Sequence, residues 1–353
     1  MTPTAFFDFL MPRRMARAAT AFALGFSVSQ SQFAELGTQM YEIRERGTLR
    51  CGIDTGLQGF ARQDEEGNWS GFEVDLCRAY AAAFLGSAER HRLVPLTTQE
   101  RLEALASGEV DILLRNTTWT LSRDAEDRFS FAGVYYYDGQ GFLVPRDLGV
   151  TSAHELDGAR ICVQRNTTTA LNLVDYAQSH DLTFTLVEVA TVRAGITAYG
   201  RGQCDALSND LSALAGTRMT LSEPDAHVIL GDVISKEPLS PVVASRDQKF
   251  ADAVRWVLHA LIAAEEFGIT AANAAERAGS SNSAEVRRLL GAEGALAEGL
   301  FLDAEFALRA IEAGGNYGEI FERNLGAASG LNLRRGINAQ WTDGGLMYSP
   351  PFR

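Results

Sequence analysis

Thirteen residues from Asp111 to Arg123, DILLRNTTWTLSR, pass from an apolar run into an amide, hydroxyls and an arginine. Asn116, Thr117, Thr118 and Arg123 bring several hydrogen-bond donors and one permanent cation, a set suited to a small carboxylate. One such loop reads more simply as solvated surface. The chain, however, carries a second version of it.

ALASGEVDILLRN (Ala104 to Asn116) aligns with TAYGRGQCDALSN (Thr197 to Asn209), matching Gly108 to Gly202, Asp111 to Asp205 and Asn116 to Asn209. One residue later the copies diverge, with Thr117 in the first and Asp210 in the second. Upstream, GTLRC (Gly47 to Cys51) parallels GARIC (Gly158 to Cys162). Ile112, Leu113 and Leu114 fit a strand covered on both faces. The polar residues then emerge at its carboxyl end, where open α/β sheets place ligands. Two similar α/β lobes are the natural reading, and chance similarity of two β-α-β segments is the alternative.

The elements around these segments follow from spacing. A strand is predicted over Leu49 to Asp54, then an amphipathic helix through Phe72, Leu76, Tyr80 and Phe84. Thr98 is expected to cap a helix over Gln99 to Ser107, stopped by Gly108. The stretches Tyr135 to Pro145 and His227 to Ser245 suit crossings between lobes, and Ala251 to Glu266 a long helix. The predicted organisation is one lobe from 41–140 and 241–353, with a second lobe, 141–240, inserted in it.

A chain of 353 residues with 46% hydrophobic and 22% charged residues is long enough for two or three domains. A formal net charge of −13 argues against nucleic acid as a partner. Residues 1–29 read as an export signal: Arg13, Arg14 and Arg17 precede the apolar stretch Ala18 to Val28. Cleavage after Ser29 fits, and Met15 is an alternative start. The stretch is too short for a membrane span of about 20 residues.

Export favours disulfides among the four cysteines. One bridge per lobe, Cys51–Cys77 and Cys162–Cys204, is the economical choice among three pairings. Buried free thiols are the alternative. Zinc lacks a CxxC spacing or a nearby histidine pair, so no metal is expected.

CGIDTGLQGF (Cys51 to Phe60), RNTTWTLSRD (Arg115 to Asp124), YYYDGQGF (Tyr135 to Phe142), ISKEPLSPVV (Ile234 to Val243), NYGEIFERN (Asn316 to Asn324) and QWTDGGLMYSPP (Gln340 to Pro351) together resemble the amino-acid-binding members of solute-binding protein family 3. The likeness is greatest to the branch that binds L-amino acids broadly, and it covers nearly everything after residue 40. It implies a type II periplasmic binding protein: two α/β lobes joined by two crossing strands, closing on an amino acid. It also implies a periplasmic monomer that delivers its ligand to ABC permease subunits in the inner membrane, with no cofactor and no catalytic residue.

Carried over by position, the resemblance gives Arg123 the α-carboxylate, with help from Thr118. Gln164, Thr167 and Thr168 belong to the matching loop at a helix start, whose free N–H groups favour a carboxylate. Asp210 takes the α-ammonium beside the backbone carbonyl of Asn116, and Asp54, Leu57, Gln58 and Phe60 line the side-chain end. The family's usual glycine is replaced by Asn166, which tolerates a left-handed backbone. Leu57 stands where an aromatic is common, which fits broad binding. Trp119 is either a stacking platform or a packed core residue.

Two rivals remain at this level. An exported enzyme on the same fold, such as a cyclohexadienyl dehydratase, would need acid–base groups. The five histidines form no HExxH or triad-like motif, and none falls in the site loops. A receptor's sensing domain would normally carry a membrane helix and a signalling domain.

Overall fold

The computed structural model describes residues 38–353, so the export signal expected over residues 1–29 lies outside the described residues. Helix α1 (Thr38–Arg46) leads into β1 (Leu49–Ile53), the hairpin β2 (Arg62–Gln63) and β3 (Trp69–Ser70), and helix α2 (Phe72–Leu85). Then come β4 (His91–Pro95), α3 (Arg101–Ala106), β5 (Ile112–Leu113), α4 (Leu121–Asp124) and β6 (Phe129–Phe131). Next are β7 (Tyr136–Pro145), β8 (Arg160–Gln164), α5 (Thr168–Ser179), β9 (Thr185–Val189) and α6 (Val192–Gly200). The chain continues through β10 (Ala206–Asp210), α7 (Leu211–Thr220), β11 (His227–Ile229), β12 (Ser235–Leu239) and β13 (Val242–Ala244). It finishes with α8 (Gln248–Glu266), α9 (Ala274–Ser280), α10 (Ala284–Leu289), α11 (Phe306–Gly314) and α12 (Tyr317–Asn324).

Two sheets organise these elements. The first has the order β4-β1-β5-β13-β6, with β1 parallel to β4 and β5 and with β13 antiparallel. The second has the order β11-β7-β10-β8-β9, with β12 also pairing β7. Everything from Tyr136 to Leu239 that forms strand belongs to the second sheet, which is therefore inserted between β6 and β13 of the first. The two crossings lie side by side: β7 and β12 pair antiparallel from Tyr136 opposite Leu239 to Gln140 opposite Ser235.

The apolar spacing of α2 buries Phe72, Leu76, Tyr80 and Phe84 against β1 and the later helices. Its start requires glycine: Gly71 has φ +137°, and a Cβ there would meet the Phe60 carbonyl oxygen at 2.1 Å. Helices α8, α11 and α12 complete the same core, so the carboxyl-terminal third belongs to the first lobe. Two smaller cores lie on the faces of the second sheet.

Two local expectations change. Thr98 does not cap α3; Thr97 instead accepts from the Glu100 N–H at 3.3 Å, and its own hydroxyl donates to the Glu100 carboxylate. Helix α8 begins three residues earlier than its apolar pattern, because Asp247 accepts from the Phe250 N–H at 3.1 Å. Both bridges form as expected. Cys51–Cys77 spans 6.2 Å between Cα atoms and Cys162–Cys204 spans 5.6 Å. Each ties its lobe's β1 or β8 to a neighbouring segment, and neither crosses between lobes.

Candidate functional site

A cavity of about 680 Å³ lies between the lobes, within the range of small-molecule sites. It opens at the carboxyl ends of parallel strands from both sheets. Asp54 follows β1, Thr98 follows β4 and Asn116 follows β5, while Gln164 ends β8 and Asp210 ends β10. The lobes touch across it. The Thr98 hydroxyl donates to Gln164 Oε1 at 3.3 Å, and Gln99 Nε2 donates to the Ala190 carbonyl at 3.2 Å.

Of the expected site residues, Asp54, Leu57, Gln58, Asn116, Thr118, Gln164, Thr167, Thr168 and Asp210 line this cavity. Phe60 does not. The chain reverses between Leu57 and Ala61, with both the Phe60 and Ala61 N–H groups donating to the Leu57 carbonyl. That turn sends the Phe60 ring inward, fully buried and edge-on to Tyr136 at 5.5 Å. Arg123 is also absent from the lining. Its Nη1 donates to the Thr118 carbonyl at 2.7 Å. Trp119 stacks on Phe131 at 5.7 Å, away from the cavity.

The loop at the start of α5 has the expected form. Asn166 adopts φ +60°, the left-handed conformation that glycine otherwise supplies. Thr167 is the N-cap: its hydroxyl accepts from the Ala170 N–H and donates to the Gln164 carbonyl at 2.7 Å. Both bonds of that hydroxyl are made within the loop itself. The first N–H groups of α5 remain for an anion, by helix geometry.

The charges in the cavity fall into two kinds. Arg115 is fully engaged, pairing Asp54 at 2.7 Å and bonding Leu96, Thr98 and Asn116. Arg101, which sequence reasoning missed, is not. It is 5% exposed, and among the described residues its Nε has no partner and its Nη1 makes only long contacts of 3.4 and 3.5 Å to carbonyls. Burial, then the nearby Arg115 and Arg123, push its pKa well down from the ordinary value. A guanidinium still keeps its charge under such conditions, so this position favours an anion strongly. The one available signal was its place in the first turn of a helix, where a cation opposes the macrodipole.

Asp210 is the complement. It is 6% exposed and is the N-cap of α7, yet its carboxylate makes no cap bond. Among the described residues it has no ion-pair partner. Burial first, then the Asp138 and Glu237 charges, raise its pKa well above the usual carboxylate range. Asp138 is pushed up to about 6 by burial, though Ser212 and the Gly139 N–H bond it. Below the cavity floor Glu73 is wholly buried and raised to about 8, chiefly by burial and next by Asp54. Its Oε1 accepts from the Asn116 N–H at 2.6 Å and from the Tyr135 hydroxyl at 2.9 Å.

Two α/β lobes, paired crossing strands and a charged interlobe cavity define a two-lobe solute-binding protein. Residues 49–271 match the model of the bacterial extracellular solute-binding proteins, family 3, and the chain belongs to that family. It is 53% identical over 312 residues to the glutamate/glutamine/aspartate/asparagine-binding protein BztA of Rhodobacter capsulatus, covering 88% of this chain and 92% of that one. It is 46% identical over 340 residues to the general L-amino acid-binding periplasmic protein AapJ of Rhizobium johnstonii, covering 96% and 98% respectively. A solved periplasmic binding protein of an ABC transporter from Brucella ovis, with glutathione bound, superposes with a TM-score of 0.87 at 47% identity. That match covers 89% of this chain and 99% of the other. The family and these relatives make the chain a binding protein rather than an enzyme.

Proposed function

We propose that this chain captures L-amino acids in the periplasm and presents them, as a monomer, to the permease of an ABC transporter in the inner membrane. The observation that carries the reading is the pairing of opposites in one cavity. Asp210 from the second lobe and Arg101 from the first are both buried, both without an ion-pair partner among the described residues, and both face the same space. A zwitterion bound between them leaves no charge unmatched when water is expelled.

In this reading Asp210 holds the α-ammonium. The α-carboxylate meets the N–H groups at the start of α5, the backbone of Thr118, and Arg123, which turns from the Thr118 carbonyl towards it. Asp54, Leu57, Gln58 and Arg115 surround the ligand side chain. Arg101 stands at the same end, beside the Arg115 carbonyl, and so reads a side-chain carboxylate or amide. Relatives named for glutamate, glutamine, aspartate and asparagine, and for L-amino acids generally, agree with such a site. A thermal-shift panel of the twenty amino acids tests it, since a ligand at 100 times its Kd adds about 2.7 kcal/mol. A panel without any stabilising amino acid would overturn the proposal.

A further inference from the structure

Glu237 lies on the crossing strand β12, is 1% exposed and does not line the cavity. Four side chains donate to it. Oε2 accepts from Thr118 at 2.6 Å and from Thr168 at 3.3 Å; Oε1 accepts from Ser235 at 2.6 Å and from Asn172 at 2.7 Å. Thr118 belongs to the site loop of the first lobe, Thr168 and Asn172 to the helix that opens the site in the second. One carboxylate oxygen is thus held by a hydroxyl from each lobe.

The network continues into the other crossing strand. Asn172 Nδ2 also donates to Gln140 Oε1 on β7 at 2.9 Å, and Gln140 Nε2 donates to the Thr169 carbonyl at 3.0 Å and to Ser208 at 2.9 Å. Both crossings are therefore bonded to the first turns of α5. Opposite Glu237 in the β7–β12 pair stands Asp138, whose partners Ser212 and Gly139 lie in the second lobe and in β7 itself. Glu237 Oε2 joins Thr118 of the first lobe to Thr168 of the second through one shared atom.

We infer that Glu237 is a positioning residue that bolts both ligand loops to the hinge and so sets how long a closed cleft holds its ligand. This rests on the amino-acid-binding role proposed above. Charge-assisted hydrogen bonds contribute about twice what neutral ones do, and burial keeps water from replacing them. Losing the shared acceptor frees Thr118 from Thr168, and the lobes separate more readily. The effect falls on release, because encounter with the open cleft does not involve Glu237.

Glu237→Gln and Asn172→Ala, which removes a donor to Glu237 from outside the cavity lining, are compared with wild type in two measurements. Small-angle scattering without amino acid reads the lobe angle, and stopped-flow release of L-glutamate reads residence. We expect a larger radius of gyration in both variants and release about tenfold faster, with little change in association rate or in the melting temperature of the amino-acid-free protein. A merely structural role would instead lower the melting temperature and leave the release rate of folded protein unchanged. If wild type binds L-glutamate and both variants release it at the wild-type rate, the inference fails. If wild type binds no amino acid, the functional reading fails, and an unchanged radius of gyration in the variants then overturns the bolt separately. Should Glu237→Gln not fold, Asn172→Ala carries the same comparison from the second lobe.

Discussion

Asp111 and Asp205, 94 residues apart in the sequence, hold the corresponding strands β1 and β8 of the two lobes in the same way. Asp111 pairs Arg50 Nη2 at 2.7 Å and accepts from the Arg50 backbone N–H at 2.8 Å. Asp205 repeats both contacts with Arg160, at 2.7 and 2.8 Å. The duplicated motif is thus a strand clamp, and the strands it fixes are those whose carboxyl ends carry the site. Chemistry begins where the copies stop matching, at Thr117 and Thr118 in one lobe and Asp210 in the other.

Asp210→Asn is expected to weaken every amino acid at least about a hundredfold, because an ammonium buried without its counter-charge costs about 3–5 kcal/mol. Arg123→Ala should act equally broadly through the α-carboxylate. Arg101→Ala should instead weaken glutamate and aspartate while leaving leucine within about threefold. Titration calorimetry with the three variants checks the assignment. An Arg101→Ala protein that keeps the wild-type ratio of glutamate to leucine affinity would remove Arg101 from the side-chain end.

Glu73 makes stability depend on pH in a definite direction. Its folded pKa is raised from 4.5 to about 8, chiefly by burial. Its contribution is therefore fully present below about pH 4.5 and is lost as pH rises through 8. Glu73→Gln cannot ionise and keeps an oxygen for Asn116 and Tyr135. Its melting temperature should gain on wild type between about pH 4.5 and 8, by roughly 2–4 °C per kcal/mol released. Asp138, pushed up to about 6, leaves a residual slope at lower pH. Parallel pH curves for variant and wild type would rule this out.

At Gly216 helix α7 of the second lobe lies close against Gln58 of the first. A Cβ there would lie 3.1 Å from both the Cβ and the carbonyl oxygen of Gln58. Gly216→Leu should hold the cleft partly open, reducing affinity about tenfold and enlarging the radius of gyration at saturating amino acid. Wild-type affinity in this variant would show that closure does not bring α7 against Gln58.

The strands and the repeat were legible because local spacing encodes them, and both bridges because export and matched placement in the repeats favour one per lobe. Asp210, at the end of β10, and Thr118, in the loop after β5, were placed in the cavity the same way. Arg101 was hidden because one arginine on a short helix looks the same in sequence whether it meets water or a cavity. Glu237 was hidden for a different reason. Its partners Thr118, Thr168 and Asn172 lie 119, 69 and 65 residues away, so no window of sequence contains the network. Phe60 was misplaced because one tight turn after Leu57 reverses the side-chain direction, and the sequence GLQGF does not reveal it.

The helices after Val242 all stack on the first lobe, and Asn338 grips the backbone of Tyr137 from that side, donating to its carbonyl and accepting from its N–H. The second lobe is then a light flap hung on a heavy frame, with its pivot clamped by the frame. A partner resting on the frame has a fixed reference against which the flap's angle can be gauged. Strand β9 is the outer edge of the second sheet, three strands from β7, so any turn at Tyr137 would be multiplied there by the lever arm between them.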